Sequence, residues 1–275
     1  MVYFIITNIK YIFKSQIYAA CSRKYTRKQV FDKVSKMQKK HGWEFLFLGA
    51  NQDAIEDTSK LSVGFFVSQL EELRQALDLD AFYLYGQSWG ASLATMYYQA
   101  HPMHVKALIL SSPLLSTKRW IADTGQLISI LPDTVQAAIR LHEAAGSFDH
   151  ADYQHAMQVF YEQFVIRKQP WSDDVNQTFA SMAVDVYNHM WGPSEFTVTG
   201  VLKDFDATDQ LGRIRVPTLY MAGEFDEARP ETVASFKDLT PGARFVMIEG
   251  AAHLTMHDNP EEDIRQIRQF LSGLK

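Results

Sequence analysis

The sequence predicts an α/β fold: a mostly parallel sheet flanked by helices, with an inserted helical cap and N-terminal strands that are atypical of the pattern. Three observations predict it. Short apolar runs of strand length alternate with amphipathic stretches of helical length, the rhythm of βαβ units. That rhythm is broken once, from Ser116 to Asp206, by about ninety residues rich in helical patterns and poor in strand patterns. With 275 residues, 47% of them apolar and 21% charged, the chain is long and apolar enough for a substantial core.

Taken in order, strands are expected at Tyr3–Ile9, Glu44–Leu48, Phe82–Tyr85, Ala107–Ser111, Thr218–Ala222 and Arg244–Ile248, each a run of β-branched, aromatic and aliphatic residues. Helices are expected between them at Thr26–Lys40, Val67–Leu77, Ala91–Gln99, Glu231–Lys237 and Glu261–Ser272, and within the cap at Thr134–Ala145 and Ala151–Val165. The expected division is an N-terminal segment over 1–64, a core of 65–115 and 207–275, and a cap of 116–206. A helical block set between two strand signals reads as a lid over the C-terminal edge of the sheet, where open α/β sheets place their sites.

Charge is uneven along the chain. Residues 1–40 hold ten Lys/Arg against one acidic residue, Asp32, while the remainder holds seventeen against thirty-one. No nucleic-acid-binding motif accompanies the basic stretch, so no nucleic-acid partner is expected. The single cysteine, Cys21, excludes an internal disulfide and fits a cytoplasmic setting; no Cys/His cluster has metal-ligand spacing. The apolar run Val2 to Ile9 is too short to cross a membrane and lacks the leading charge of a secretory signal, so a sheet strand is the expectation.

The sharpest motif is Gly86-Gln87-Ser88-Trp89-Gly90, between the strand Phe82–Tyr85 and the helix that begins near Ala91. A strand that turns sharply into a helix leaves its central serine strained and exposed, and small flanking residues let strand and helix approach. The Trp89 N–H at the helix start then faces a developing oxyanion. A serine needs a base held by a carboxylate. On this pattern both follow in order, each past a later strand: Asp226 after Thr218–Ala222 and His253 after Arg244–Ile248. Ser88 as nucleophile, His253 as base and Asp226 as its orienter are the expected catalytic residues. His257 and the other histidines are read as incidental.

From about Phe65 to the C-terminus the sequence resembles the proline iminopeptidases of the α/β-hydrolase superfamily. The resemblance rests on the elbow, on Gly223-Glu224-Phe225-Asp226-Glu227-Ala228, on Gly250-Ala251-Ala252-His253-Leu254-Thr255-Met256, and on Trp191-Gly192-Pro193-Ser194-Glu195-Phe196-Thr197-Val198-Thr199-Gly200. It implies a serine aminopeptidase that needs no cofactor, takes short peptides, and binds their free α-amine at Glu195 and Glu227. A carboxylesterase-type hydrolase with the same triad is the alternative, as is a fusion product impaired by half an oxyanion hole. The latter arises because the His-Gly-Gly-Pro-Gly motif, which in that family precedes the elbow and supplies a second oxyanion donor, is absent. In its place Tyr25–Val30 and His41–Ala54 resemble part of phage von Willebrand factor A-like proteins, without the metal-binding loop of that family. A junction near Leu61–Phe65 is therefore expected. The strand Glu44–Leu48 is expected beside the elbow strand, with Gly49 or Ala50 offering a makeshift oxyanion N–H.

Overall fold

The computed structural model describes residues 3–6, 61–180 and 182–274. In chain order their elements are β1 (Tyr3–Ile6), α1 (Val63–Ala76), β2 (Phe82–Gln87), α2 (Trp89–Ala100), β3 (Val105–Ser111), α3 (Thr117–Ser129), α4 (Asp133–Ala145), α5 (Ala151–Phe164), α6 (Asp173–Ala180), α7 (Val184–Met190), α8 (Thr208–Leu211), β4 (Thr218–Gly223), α9 (Pro230–Leu239), β5 (Arg244–Ile248), α10 (Thr255–Asp258) and α11 (Pro260–Ser272). The strands form one sheet in the order β1-β2-β3-β4-β5, parallel at every pairing.

The apolar continuity of the inner strands follows from burial on both faces. Alternate side chains go to opposite sides. Phe82 and Leu84 of β2, Leu108 and Leu110 of β3 and Tyr220 and Ala222 of β4 enter one core cluster, shared with Phe66 and Leu70 of α1, Tyr97 of α2 and Phe236 of α9. Tyr83, Tyr85, Ala107, Ile109, Leu219 and Met221 enter the other, with Phe270 of α11 and with Tyr153, Phe160 and Phe164 of α5. A fully buried side chain of this size contributes roughly 1.5–3 kcal/mol, so the two layers hold the sheet rigid beneath the site. Helix ends follow local chemistry. Ser62 Oγ accepts from Phe65 N at the start of α1, and Pro260 with Glu261, Glu262 and Asp263 fills the first turn of α11 after the Asn259 cap.

The stretch between Ser116 and Asp206 carries helices α3 to α7 and no strand among the described residues. Its two ends meet. Ser116 and Asp206 form an antiparallel bridge, Thr117 N donates to Phe205 O at 2.9 Å, Ala207 N to Leu115 O at 2.8 Å, and Ser116 Oγ to Asp206 Oδ2 at 2.9 Å.

One expectation is corrected. The place beside the elbow strand was assigned to Glu44–Leu48, but β1 takes it, with Ile6 opposite Gly86. The other edge of β2 is taken by β3, so β2 has no edge left for a further strand. The run Tyr-Phe-Ile-Ile is at least as apolar and β-prone as Glu-Phe-Leu-Phe-Leu, and it carries no charge that parallel pairing would bury. Residues 44–48, Gly49 and Ala50, the helix at Thr26–Lys40 and the junction before Leu61 lie outside the described residues.

Candidate active site

The position of Ser88, the expected nucleophile, is built by one glycine and by the serine's own strained backbone. A Cβ on Gly86 would stand 2.2 Å from Gly90 O and 2.7 Å from Ala91 Cα, so only glycine lets β2 run so close under α2. The chain then turns at Ser88, with φ 56° and ψ −123°. A non-glycine residue there stores about 1–3 kcal/mol and survives only where its surroundings dictate it. They do: Ser88 N donates to Ser111 O, and Ser88 O accepts from Ala91 N and Leu114 N. The Trp89 N–H, first of the helix, has no intrahelical acceptor.

Asp226 and His253 stand on loops that follow β4 and β5. These loops touch because Gly223 has no side chain: a Cβ there would lie 2.2 Å from Ala252 O. Phe225 N donates to Ala251 O at 2.9 Å, tying loop to loop. Asp226 is buried and all its lone-pair directions are engaged. Oδ1 accepts from His253 Nδ1 at 2.8 Å and from Ala228 N at 2.9 Å. Oδ2 accepts from Gly223 N at 3.1 Å and from Ser112 Oγ at 2.5 Å. With Nδ1 committed to Asp226, Nε2 is the nitrogen left to take a proton. Gln87, beside Ser88, donates its Nε2 to His253 O at 3.4 Å, so elbow and histidine loop adjoin. Ser88 Oγ makes no hydrogen bond to the ring in this structure; such contacts commonly tighten only with substrate bound.

The helical insertion reaches the same place. The carbonyl of Phe164, at the end of α5, accepts from both Glu227 N and His253 N at 3.2 Å. Trp120 of α3 packs edge-on against the His253 ring, centroids 5.5 Å apart, and its Nε1 donates to Glu195 O at 2.8 Å. Glu195 Oε1 accepts from Tyr187 OH at 2.9 Å, and Glu195 N donates to Tyr161 OH at 3.2 Å.

The two glutamates are thus brought beside Asp226 and His253. Burial raises the pKa of Glu195, opposed by the nearby His253 and by the Tyr187 hydrogen bond. Glu227 is fully buried, and its Oε1 lies 3.8 Å from His253 Nδ1. Burial first, then the neighbouring Glu195 and Asp226, push its pKa well above the usual carboxylate range.

Sequence reasoning missed Ser112, Trp120, Tyr161 and Tyr187. Ser112 alone left a trace, being the residue just past a buried strand at the sheet's C-terminal edge. No cofactor-binding cradle was expected. Among the described residues one group, His142, His150 and Asp152 at the α4–α5 turn, offers metal-ligand atoms within 4.8 Å of one another, and two of its members are exposed.

A family model described as the alpha/beta hydrolase fold matches residues 33–260. A proline iminopeptidase of Heyndrickxia coagulans is 42% identical over 221 residues, covering 79% of this chain and 76% of that protein. One from Saccharolobus solfataricus is 33% identical over 221 residues, covering 80% and 71%. Among solved structures, VinJ aligns with a TM-score of 0.79 at 31% identity over 90% of this chain and 86% of that one. The proline iminopeptidase of Mycobacterium smegmatis aligns with a TM-score of 0.74 at 33% identity over 81% and 74%.

Proposed function

The chain belongs to the proline iminopeptidase family of alpha/beta hydrolases, and on that premise we propose that it releases N-terminal proline from short peptides through an acyl-enzyme on Ser88. The carrying observation is a buried, four-bonded Asp226 holding His253 Nδ1 at 2.8 Å, with the carboxyl of Glu227 3.8 Å from the same nitrogen. His253 Nε2 removes the Ser88 Oγ proton as Oγ attacks the prolyl carbonyl. The oxyanion that forms takes the Trp89 N–H at the positive end of α2. His253 returns the proton to the departing amine; it then takes one from the water that attacks the acyl carbon and passes it to Ser88 Oγ as the acyl bond breaks, freeing proline. Asp226 keeps the tautomer and steadies the imidazolium.

Glu195 and Glu227 confine the reaction to chain ends. A free α-amine meets two acidic groups, whereas an interior amide nitrogen carries no charge and leaves them unpaired. In this reading residues 116–206 form the cap that presents Glu195, residues 65–115 and 207–275 carry the chemistry, and a cytoplasmic setting supplies short peptides. No helix of the described residues is long and apolar enough to cross a membrane.

The test compares prolyl-arylamide with simple acyl esters on wild type and Ser88→Ala. Wild type should cleave the arylamide with the higher kcat/KM, and Ser88→Ala should lose at least about three powers of ten. Robust cleavage by Ser88→Ala would reject the mechanism; a preference for esters would reject the substrate. A fluorophosphonate that fails to label Ser88 would mean the single known donor, Trp89 N–H, does not suffice, since losing one such donor costs about two to three powers of ten.

A further inference from the structure

Glu227 has a feature that amine binding alone does not require. Both carboxyl oxygens are buried and neither has a hydrogen-bond partner among the described residues, although the backbone N–H of the same residue is satisfied by Phe164 O. The titratable groups that face it come from every side: Asp226 before it in the loop, Glu195 and Tyr187 from the insertion, Tyr161 from α5, and His253 from the loop after β5. None of these is a permanent cation, and among the described residues no lysine or arginine forms an ion pair with it. An isolated carboxylate in such a place loses its solvation with nothing to replace it.

Glu195 differs. It is half-buried, and Tyr187 OH donates to it. A neutral Glu227 also suits the empty site in a second way. Ionised, it would stand 3.8 Å from His253 Nδ1 and compete with Asp226 for the ring; protonated, it leaves Asp226 as the ring's one anionic partner.

We propose that Glu227 is a proton-exchange seat: it carries a proton in the empty site and gives it up to solvent when the substrate's α-ammonium takes its place. This rests on the aminopeptidase reading above and deepens it. The step balances. A neutral acid plus an ammonium becomes a carboxylate–ammonium pair plus one free proton, and the count is the same if the pair shares its proton as amine and acid. Recognition of the chain end is therefore linked to pH. Through the range where empty Glu227 stays protonated and the ligand amine stays charged, affinity should improve about tenfold for each pH unit gained.

The test uses the full chain carrying Ser88→Ala, with L-prolinamide as the uncleaved ligand and N-acetylprolinamide as the ligand without an amine. Calorimetric titration in phosphate and in Tris buffer, whose ionisation heats differ, counts protons. About one proton should leave per L-prolinamide bound at pH 6–7, and Kd should fall about tenfold per pH unit. Adding Glu227→Gln should abolish the release and flatten the pH slope, while adding Glu195→Gln should keep both. N-acetylprolinamide should bind at least a hundredfold more weakly and release nothing. Binding of L-prolinamide without proton release overturns the proposal and leaves the aminopeptidase reading standing, as does a release that survives Glu227→Gln. Failure of L-prolinamide to bind at any pH overturns both. If Glu227→Gln does not fold, the pH slope with Ser88→Ala alone decides.

Discussion

Ser112 is the residue on which the arrangement of the triad can be tested without touching the triad. It sits directly after β3, buried, at φ +46°, and its hydroxyl donates to Asp226 Oδ2 at 2.5 Å and lies 3.0 Å from His253 O. Replacing it by glycine removes the hydroxyl and relaxes the backbone strain; replacing it by alanine removes the hydroxyl and keeps the strain. In either case Asp226 Oδ2 retains only the Gly223 N–H at 3.1 Å. A hydrogen bond to a charged group contributes about 1.5–3 kcal/mol. If that constraint is felt where His253 becomes imidazolium, kcat should fall roughly 10- to 150-fold. KM should stay within about twofold, since nothing that grips the substrate moves. The assay is prolyl-arylamide hydrolysis across pH, with a melting curve for each variant. A purely structural Ser112 would change Tm and leave kcat alone. Both variants turning over within about twofold of wild type would refute the reasoning.

Two further outcomes are expected from buried groups. Gly86→Ala should melt lower and lose more than about a hundredfold in kcat, because its Cβ would meet Gly90 O at 2.2 Å; near-normal activity would show that the elbow can yield. Asp263 is buried beneath Thr255, whose hydroxyl donates to it at 2.7 Å, and burial raises its pKa to about 6 from 3.8. A carboxyl raised in the folded state stabilises fully below its unfolded value and loses that contribution as pH climbs through the folded one. Above pH 6 the folded chain therefore carries a buried carboxylate at a cost of up to about 3 kcal/mol. Asp263→Asn should raise Tm by several degrees at pH 7.5 and change it little at pH 4; equal shifts at both values would dismiss the assignment.

What could be read from the sequence, and what could not, divides by range. β2 and α2 around Ser88, and the strands ending before Asp226 and His253, announce themselves through local patterns of apolar residues and glycine. Each was placed to within a few residues. The partner of the elbow strand did not announce itself. Tyr3–Ile6 and Glu44–Leu48 are both short apolar runs, and the choice depends on pairing across some eighty residues of chain, which periodicity does not encode. The relation to the iminopeptidases was read from Phe65 onward, yet the alpha/beta hydrolase match begins at residue 33. Local motifs thin out there even though the overall pattern continues. Trp120 left no trace, and Ser112 only its place after a strand, for another reason. A serine after a strand, or a tryptophan on a helix, becomes part of a site only when chain more than a hundred residues away folds back onto it, as Asp226 does on Ser112 and His253 on Trp120.

The bridge between Ser116 and Asp206 has a consequence for how this molecule can change over evolutionary time. Because the insertion departs and returns at adjoining residues, the sheet meets it as a closed neck. Helices can be lengthened, exchanged or deleted above that neck without altering the register of any strand, and the entropy of closing the excursion grows only slowly with its length. Of the two glutamates read as choosing the substrate, Glu195 then sits on the separately editable part, while Glu227 stays beside Asp226 on the sheet's own loop. Trp120, the Phe164 carbonyl and Glu195 are points beside the site where the two parts must still agree. A swapped insertion that kept those contacts would redirect the hydrolase to a new acyl donor; one that lost them would leave an intact sheet with an idle triad.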